Sequence, residues 1–248
     1  MSAPLQYGLY ILWIVLITAT LAAFIINKIK QTAETKNIML RVKSWWMIIL
    51  VFTALFFTPA PWASIIFAAV ALIAGREIYL KAIASRDGKA KFFAISVFII
   101  TIISIFCWYI LFSKREGAGY FFFVVVITQF NDVAQYIWGK SCGRKQIAPD
   151  ISPSKTWGGF LGGIFTSALL AFFMAPYYTE FKWITAVIVG ACLAVFGFLG
   201  DLTISAFKRT LKTKDMGTLI PGHGGIMDRI DSLLYTIPLF LLFIVIYS

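Results

Sequence analysis

The chain has 248 residues, of which 60% are hydrophobic and 13% are charged. Soluble domains are about 45–50% apolar and about 25% charged, so this composition excludes an ordinary soluble protein and indicates an integral membrane protein. The formal charge of +11 does not require a nucleic-acid partner. Basic loops that face anionic lipid on the cytoplasmic side of a membrane explain it more simply, and no nucleic acid is expected.

Apolar segments follow one another along the whole chain and predict an all-α fold with about eight membrane-spanning helices. The segments are 7–27, 44–57, 61–82, 92–112, 119–138, 158–175, 183–200 and 232–247. The second and third should form a helical hairpin that turns at the TPAP sequence of residues 58–61. The first arm of this hairpin is shorter than the roughly 20 residues of a span, so it is the candidate for a short or re-entrant segment.

The basic residues lie in six connections between these segments. Four connections, 28–43, 76–91, 139–157 and 201–231, contain 19 of the 22 Lys and Arg residues. With eight spans and an outside N-terminus, these four connections face the cytoplasm, where an excess of Lys and Arg is expected. The sequence therefore predicts a multi-pass protein of the cell membrane, with both termini outside and the polar connections in the cytoplasm.

One polar group lies inside an apolar segment. Asp132, Tyr136 and Lys140 are spaced by four residues, so on a helix they share one face. A carboxylate in a membrane segment is costly unless it is paired or hydrated, so it suggests a functional site. The alternative is a structural hydrogen-bond network between helices.

A second polar group is the sequence SPSKTWGG, residues 152–159, before the sixth segment. Ser152, Lys155 and Thr156 with a Gly pair at a helix N-terminus would form an anion-binding turn, because backbone N–H groups and the helix dipole favour negative charge there. Ordinary helix capping is the competing explanation.

The third polar group is the most concentrated, because residues 200–231 contain four of the eleven acids and the only histidine. If the seventh segment continues as a helix past Asp201, then Ser205, Lys208 and Lys212 follow it on one face at intervals of three or four residues. This would place a carboxylate at the membrane edge with cations above it. A solvated basic helix at lipid headgroups is the alternative.

A Gly-rich turn, PGHGG at 221–225, then leads into a helix expected to start near Met227. Asp228 and Asp231 would lie on one face of its first turn, where two carboxylates repel each other unless a cation neutralises them. Mg²⁺ binds one or two carboxylates together with water and phosphate oxygens. Helix capping would explain Asp228 but not the pair. The expected chemistry is therefore phosphate chemistry at the cytoplasmic surface, without the GxxxxGK[ST] sequence of a P-loop.

Residues 205–231 contain four short segments at fixed spacing: SAFKR (205–209), KDMG (214–217), IPGHGG (220–225) and DRID (228–231). Together they resemble the signature of the phosphatidate cytidylyltransferases, also called CDP-diacylglycerol synthases. The segments NDVAQY (131–136) and SPSKTWGGF (152–160) are also similar to the family. One departure is Gly158, where the family usually has Glu. The resemblance covers roughly residues 76–247, and it implies N-terminal spans in 1–75 and a catalytic transmembrane domain in 76–248.

The resemblance implies that CTP and phosphatidate react to give CDP-diacylglycerol and pyrophosphate. It implies a Mg²⁺-dependent site, leaves room for a second cation such as K⁺, and implies a homodimer. By the same resemblance, Asp201, Asp228 and Asp231 are the expected metal ligands.

The remaining expected site residues divide into two groups by role. The phosphate-neutralising and catalytic group comprises Lys208, Arg209, Lys214, Asp215, His223 and Arg229. The substrate-binding group comprises Asp132, Tyr136, Lys140, Ser152, Lys155, Thr156 and Ser205. For His223, hydrogen bonding to phosphate and a structural role are equally good explanations.

Three other functions compete with this expectation. A related enzyme would use another lipid phosphate, or would be a CTP-dependent lipid kinase that releases CDP instead of pyrophosphate. A transporter or flippase would use Asp132 for ion coupling, but the chain shows no inverted repeat. A non-catalytic scaffold or inactive paralogue is suggested only by Gly158.

Overall fold

The computed structural model describes residues 2–31, 33–85, 87–114, 116–220 and 224–247, and the side chains in these ranges except at 33–37, 41 and 60. The described residues form nine α-helices and one two-stranded antiparallel sheet. The helices are α1 (Ala3–Lys30), α2 (Ala33–Phe57), α3 (Ala60–Ala84), α4 (Gly88–Ser113), α5 (Gly117–Cys142), α6 (Trp157–Tyr178), α7 (Trp183–Thr210), α8 (Met227–Ile230) and α9 (Leu233–Tyr247). The strands are β1 (Gln146–Ala148) and β2 (Ser152–Thr156).

Seven helices, α1 to α7, are long and apolar enough to cross a membrane, and the predicted all-α, multi-span membrane fold is confirmed. The short apolar helix is not the one that the sequence predicted. Most of the basic connection before residue 44 is itself helical, so α2 has 25 residues and is not short. Instead α9 has only 15 residues, fewer than the about 20 that a span requires.

The hairpin between α2 and α3 turns at the predicted TPAP sequence. Helix α2 ends at Phe57, and Pro59 is the N-cap of α3. Proline disfavours a helical conformation in the residue before it but is tolerated in the first turn of a helix, which explains both boundaries. The predicted domain boundary after residue 75 lies inside α3, so this helix belongs to both predicted regions. The division into two domains stays a prediction.

Helix α5 is the most enclosed of the seven long helices. Sixty-one per cent of its apolar stretch is buried, against 12% for α2. Its most extensive contacts are with α4, α6, α7 and α9. Near its N-terminal end, Phe121 lies among five aromatic rings of α2, α3 and α4, with centroid separations of 5.7–6.4 Å. Such offset and edge-on contacts stabilise a core beyond area burial.

The connection from α5 to α6 is more ordered than the predicted polar loop. Strands β1 and β2 form a hairpin in which Gln146 pairs with Thr156 and Ala148 pairs with Ser152. Thr156 then caps α6, because its Oγ1 accepts a hydrogen bond of 3.1 Å from the Gly159 N–H. The N-terminal turn of α6, for which the sequence suggested anion binding, thus has one of its free N–H groups bonded by a capping side chain.

The aromatic cluster around Phe121 should determine the stability of the helical bundle. We expect Phe121→Ala to lower the free energy of unfolding by about 3 kcal/mol, because it removes a buried ring and leaves a cavity. The measurement is the thermal unfolding of the purified protein in detergent. Phe130→Ala on the same helix is the matched control, since this ring is 45% exposed and should cost much less. Equal losses for the two variants would contradict the packing described above.

Candidate functional site

Carboxylates from three parts of the chain lie close enough to one another to interact electrostatically. Asp132 lies on α5, Asp201 on α7, and Asp231 between α8 and α9. Burial raises the pKa of Asp231 well above its usual range, and the negative charges of Asp201 and Asp132 raise it further. The three acids therefore interact electrostatically, although they are separated in sequence. We call them the acid cluster.

Lys155 is the cation of the acid cluster. Its Nζ forms an ion pair with Asp201 Oδ2 and donates to Gln135 Oε1 at 3.2 Å. Burial lowers the pKa of Lys155, but Asp201 and the other two acids outweigh this effect and leave the pKa above its usual value. The ammonium group is therefore charged at neutral pH, and it interacts with all three carboxyl groups. Lys208 also acts electrostatically on Asp231, and Arg229 acts on Asp132.

Hydroxyl groups complete the surroundings of the acid cluster. Ser205 Oγ donates to Asp201 Oδ1 at 3.2 Å, one helical turn along α7. Ser232 Oγ donates to Asp132 Oδ2 at 3.0 Å. The other oxygen, Asp132 Oδ1, is buried and has no hydrogen-bond partner among the described residues. An unpartnered buried carboxylate oxygen is costly, and a ligand or a cation would satisfy it.

A close backbone approach brings Asp231 to α7. A Cβ atom at Gly200 would lie 2.5 Å from the Asp231 carbonyl oxygen and 3.2 Å from Ser232 Cα. Any side chain at position 200 would therefore push the start of α9 away from α7. The glycine beside Asp201 thus allows two of the acids to come together.

Asp228 has different partners from Asp231, although the sequence grouped them as a pair. Asp228 Oδ1 accepts a hydrogen bond of 2.9 Å from Lys208 Nζ. Asp228 Oδ2 accepts from the backbone N–H groups of Met216 at 2.8 Å and Gly225 at 2.9 Å. The predicted helix start at Met227 is confirmed, and Asp231, the residue after this helix, keeps a helical backbone. Both oxygens of Asp228 are used to order the chain around it.

Helix α7 does continue past Asp201, as expected, and it ends at Thr210. Ser205 and Lys208 therefore lie on the same helix as Asp201. Lys212 does not, because it follows the end of α7 and has a left-handed backbone with a φ of 52°. The predicted row of cations along one helix face is thus limited to the part before Thr210.

Several expected site residues lie apart from the acid cluster. Tyr136 and Lys140 are exposed and contact each other, with Lys140 Nζ 4.9 Å from the centre of the Tyr136 ring. Arg209 is exposed, and its Nε donates to the Ile151 carbonyl oxygen at 3.0 Å. This contact joins α7 to the turn of the β hairpin. Ser152 belongs to the paired strand β2.

Three charged residues expected at the site have exposed side chains, namely Lys214, Asp215 and Arg229. Arg229 is close enough to Asp132 to act on it electrostatically. His223 lies outside the described residues. The roles predicted for these residues stay predictions.

Glu77 on α3 is a buried acid that the sequence analysis did not select. It is 6% exposed, and it accepts hydrogen bonds from the backbone N–H groups of Ile226 and Met227. A signal for it existed in the sequence, since an acid within an apolar segment indicates function, as was argued for Asp132.

Gly158 lies where α6 begins against the end of α5. A Cβ atom there would lie 2.8 Å from the Cys142 carbonyl oxygen and 3.0 Å from Gly143 Cα. The Glu that resembling proteins usually have at this position would require one of the two helix ends to shift. The departure at Gly158 is thus accommodated by closer packing of α5 and α6.

The donor set of the acid cluster suits Mg²⁺. Among the described residues, no three His, Cys, Asp or Glu side chains are gathered closely enough to hold a metal ion by themselves. Mg²⁺ does not require this, since it binds one or two carboxylates and takes its remaining ligands from water and phosphate oxygens. The unpartnered Asp132 Oδ1 and the repulsion of Asp231 by Asp201 and Asp132 are the observations that fit a bound cation.

Comparison with known proteins gives one family and several relatives. The model of the cytidylyltransferase family matches residues 2–247. An uncharacterised protein of Escherichia coli, YnbB, is 44% identical over 130 residues, which are 52% of this chain and 44% of that protein. A phosphatidate cytidylyltransferase of Staphylococcus aureus is 40% identical over 129 residues, or 51% of this chain and 49% of that protein.

A phosphatidate cytidylyltransferase of Bacillus subtilis is 39% identical over 135 residues, which are 54% of this chain and 50% of that protein. The chain thus spans about half the length of the curated relatives that it matches. The family match begins at residue 2, so it also includes the N-terminal helices, which the motifs alone had left out.

The different partners of Asp228 and Asp231 predict opposite effects on stability. We expect Asp228→Asn to lower the free energy of unfolding by about 3 kcal/mol, because it breaks a buried ion pair and leaves Lys208 uncompensated. Asp231→Asn should raise stability at neutral pH, because its neutral side chain avoids burial of a charge beside Asp201 and Asp132. Thermal unfolding in detergent, without divalent cations, measures both.

The pH dependence provides the control for Asp231. Its pKa is higher in the folded than in the unfolded protein, so its contribution to stability is fully present below the unfolded value, about 4. The contribution is lost as the pH rises through the folded value. The advantage of Asp231→Asn should therefore be absent in acid and grow as the pH rises toward neutrality. An advantage that does not change with pH would contradict this explanation.

Proposed function

Because the chain belongs to the cytidylyltransferase family, we propose that it transfers the cytidylyl group of CTP to phosphatidate and releases pyrophosphate. The main observation that supports the proposal is the acid cluster with Lys155. The family model matches residues 2–247, which include every residue of this cluster. The names of the Staphylococcus aureus and Bacillus subtilis relatives support phosphatidate as the acceptor.

The proposed reaction is an in-line displacement. A phosphate oxygen of phosphatidate attacks the α-phosphorus of CTP, the bond to the bridging oxygen of the β-phosphate breaks, and pyrophosphate leaves with that electron pair. The attacking oxygen already carries negative charge, so no strong general base is required. Catalysis then consists of positioning the two substrates and neutralising their charge.

Two lysines are suited to neutralise phosphate charge. Lys155 remains protonated beside Asp201, and an incoming phosphate can take over part of this ion pair. Lys208 is mostly buried and is oriented by Asp228, which limits the positions of its ammonium group. Arg229 is exposed beside the acid cluster and is free to contact substrate from the aqueous side.

Asp201 and Asp231, with Asp132 beside them, are the residues that we propose would hold Mg²⁺. When bound, Mg²⁺ would supply positive charge to the phosphate oxygens that meet at the site. Asp228 is less suited to this role than the resemblance implies, because both of its oxygens already accept hydrogen bonds. The residues leave room for a second cation such as K⁺, and this also stays a proposal.

The distribution of charge supports a cytoplasmic site. Lys155, Lys208 and Arg229 lie in two of the four connections that together contain 19 of the 22 basic residues, and connections rich in Lys and Arg are expected to face the cytoplasm. CTP is found on that side. We therefore propose a multi-pass protein of the cell membrane with both termini outside, with substrates entering from the bilayer and from the cytoplasm, and functioning as a homodimer.

An assay with CTP, phosphatidate and Mg²⁺ tests the proposed reaction on the purified protein in detergent. We expect CDP-diacylglycerol and pyrophosphate in equal amounts, and no product when the divalent cation is removed by EDTA. Release of CDP with phosphorylation of the lipid would indicate a kinase instead. Absence of both nucleotide products with every lipid phosphate tested would refute the proposal.

Substitutions in the acid cluster test which acids take part. Asp231→Asn should lower turnover by about 100-fold or more while the protein stays folded, because the charge that would hold the cation is lost. Asp201→Asn should have a similar effect. Glu180→Gln is the control, since this exposed acid lies in the connection between α6 and α7 and should leave turnover unchanged. Near-normal turnover of Asp231→Asn would remove it from the site.

A further inference from the structure

We infer that Glu77 is a positioning residue of the proposed reaction, which fixes the chain between α7 and α8 so that Asp228 and Lys208 are correctly placed. This inference rests on the proposed function. It concerns the α7–α8 connection, residues 211–226, of which 221–223 lie outside the described residues.

The carboxylate of Glu77 makes two well-formed hydrogen bonds to this connection and its end. Oε1 accepts from the Ile226 N–H at 3.0 Å, and Oε2 accepts from the Met227 N–H at 2.9 Å. Glu77 is 6% exposed, and the described residues give it no ion-pair partner. The described partners of this buried carboxylate are backbone N–H groups, so it stabilises one conformation of that backbone. Hydrogen bonds to a charged acceptor are stronger than those between neutral groups.

The connection is shaped to receive this carboxylate. A Cβ atom at Gly225 would overlap both oxygens of Glu77, and one at Gly217 would lie 2.5 Å from Oε1. Gly217 and Gly225, eight residues apart, therefore both lack a side chain where the Glu77 carboxylate lies. At both glycines the nearest atoms to such a Cβ belong to the Glu77 carboxyl group.

A second residue of α3 holds the beginning of the same connection. Lys81, one helical turn after Glu77, donates to Thr213 Oγ1 at 3.2 Å, and Thr213 Oγ1 in turn donates to the Asp215 carbonyl oxygen at 3.0 Å. Helix α3 thus contacts the connection near both of its ends. The two contacts are separated by 13 residues of chain, so together they limit its path.

The hydrogen bonds of Glu77 are next to those of Asp228. Three successive backbone N–H groups are involved, since Gly225 donates to Asp228 and the next two residues donate to Glu77. Asp228 in turn orients Lys208. A shift of the backbone at 225–227 would therefore move Asp228 and release Lys208. This is how a residue without contact to substrate can affect turnover.

Hydrogen exchange tests the inference without reference to activity. Glu77→Gln keeps the size of the side chain but replaces one acceptor by a donor that opposes an N–H group. We expect peptides covering 211–231 to exchange about tenfold faster or more in the full-length protein in detergent. Arg76→Gln is the matched control, because it changes the charge of the adjacent, exposed residue of α3. Unchanged exchange in Glu77→Gln would overturn the inference.

Kinetics then distinguish positioning from general destabilisation. We expect Glu77→Gln to lower kcat about tenfold or more per folded molecule, with a smaller change in the KM for CTP, and Glu77→Asp to recover part of the loss. Faster exchange with unchanged kcat would overturn a role in the reaction. If the wild-type protein makes no CDP-lipid while exchange still depends on Glu77, the proposed function fails and the attachment of the connection stands.

A reciprocal substitution covers the case in which Glu77 variants fold poorly. Gly225→Ala should speed exchange of the same peptides, because its methyl group displaces the Glu77 carboxylate. In the background of Glu77→Ala, which removes that carboxylate, Gly225→Ala should have a smaller effect. Non-additivity is expected for residues in contact. Additive effects of the two substitutions would contradict the proposed contact.

Discussion

Negative charge that is only partly compensated inside a helical membrane protein is the constraint on which the rest of this structure depends. Asp132, Asp201 and Asp231 all interact with the ammonium group of Lys155, and one buried oxygen of Asp132 has no partner among the described residues. Burial and repulsion by the other two acids raise the pKa of Asp231 well above its usual range, so this charge opposes folding at neutral pH. A bound cation and an anionic substrate would complete the acid cluster. The site is thus arranged for ligands at the expense of stability, as is common at functional sites.

Asp228, Lys208 and Glu77 are charged residues outside the acid cluster, and their hydrogen bonds order the backbone between α7 and α8. Asp228 accepts hydrogen bonds from two backbone N–H groups as well as from Lys208, and Glu77 accepts two from the residues next to them. The Gly-rich chain between α7 and α8 buries Met216 and Ile220 in the core. Carboxylates that accept hydrogen bonds from its N–H groups add to this apolar packing. Ordering of this chain and binding at the acid cluster therefore depend on different acids.

The sequence indicated much of this in advance where the signal is local. Composition gave the membrane class, and the TPAP turn and the start of α8 near Met227 are confirmed because proline and glycine act on the backbone directly. That Asp228 and Asp231 bind one cation as a pair stays a prediction. Asp231 keeps a helical backbone, so the spacing holds, but Asp228 accepts hydrogen bonds from Lys208 and two backbone N–H groups, whereas Asp231 interacts with Asp201 and Asp132. Spacing also placed Tyr136 with Asp132, whereas its side chain is exposed.

By itself, then, the sequence determined the class of fold, the family motifs and the residues from which the site is selected. These properties follow from hydrophobicity and from short-range spacing, which a linear pattern records. Tertiary structure alone decided which acid interacts with which partner. Lys155 reaches Asp201 from a β hairpin, and Glu77 reaches Met227 across 150 residues of chain. Contacts of this kind depend on how α3, α5 and α7 pack against one another, and no local pattern encodes that packing.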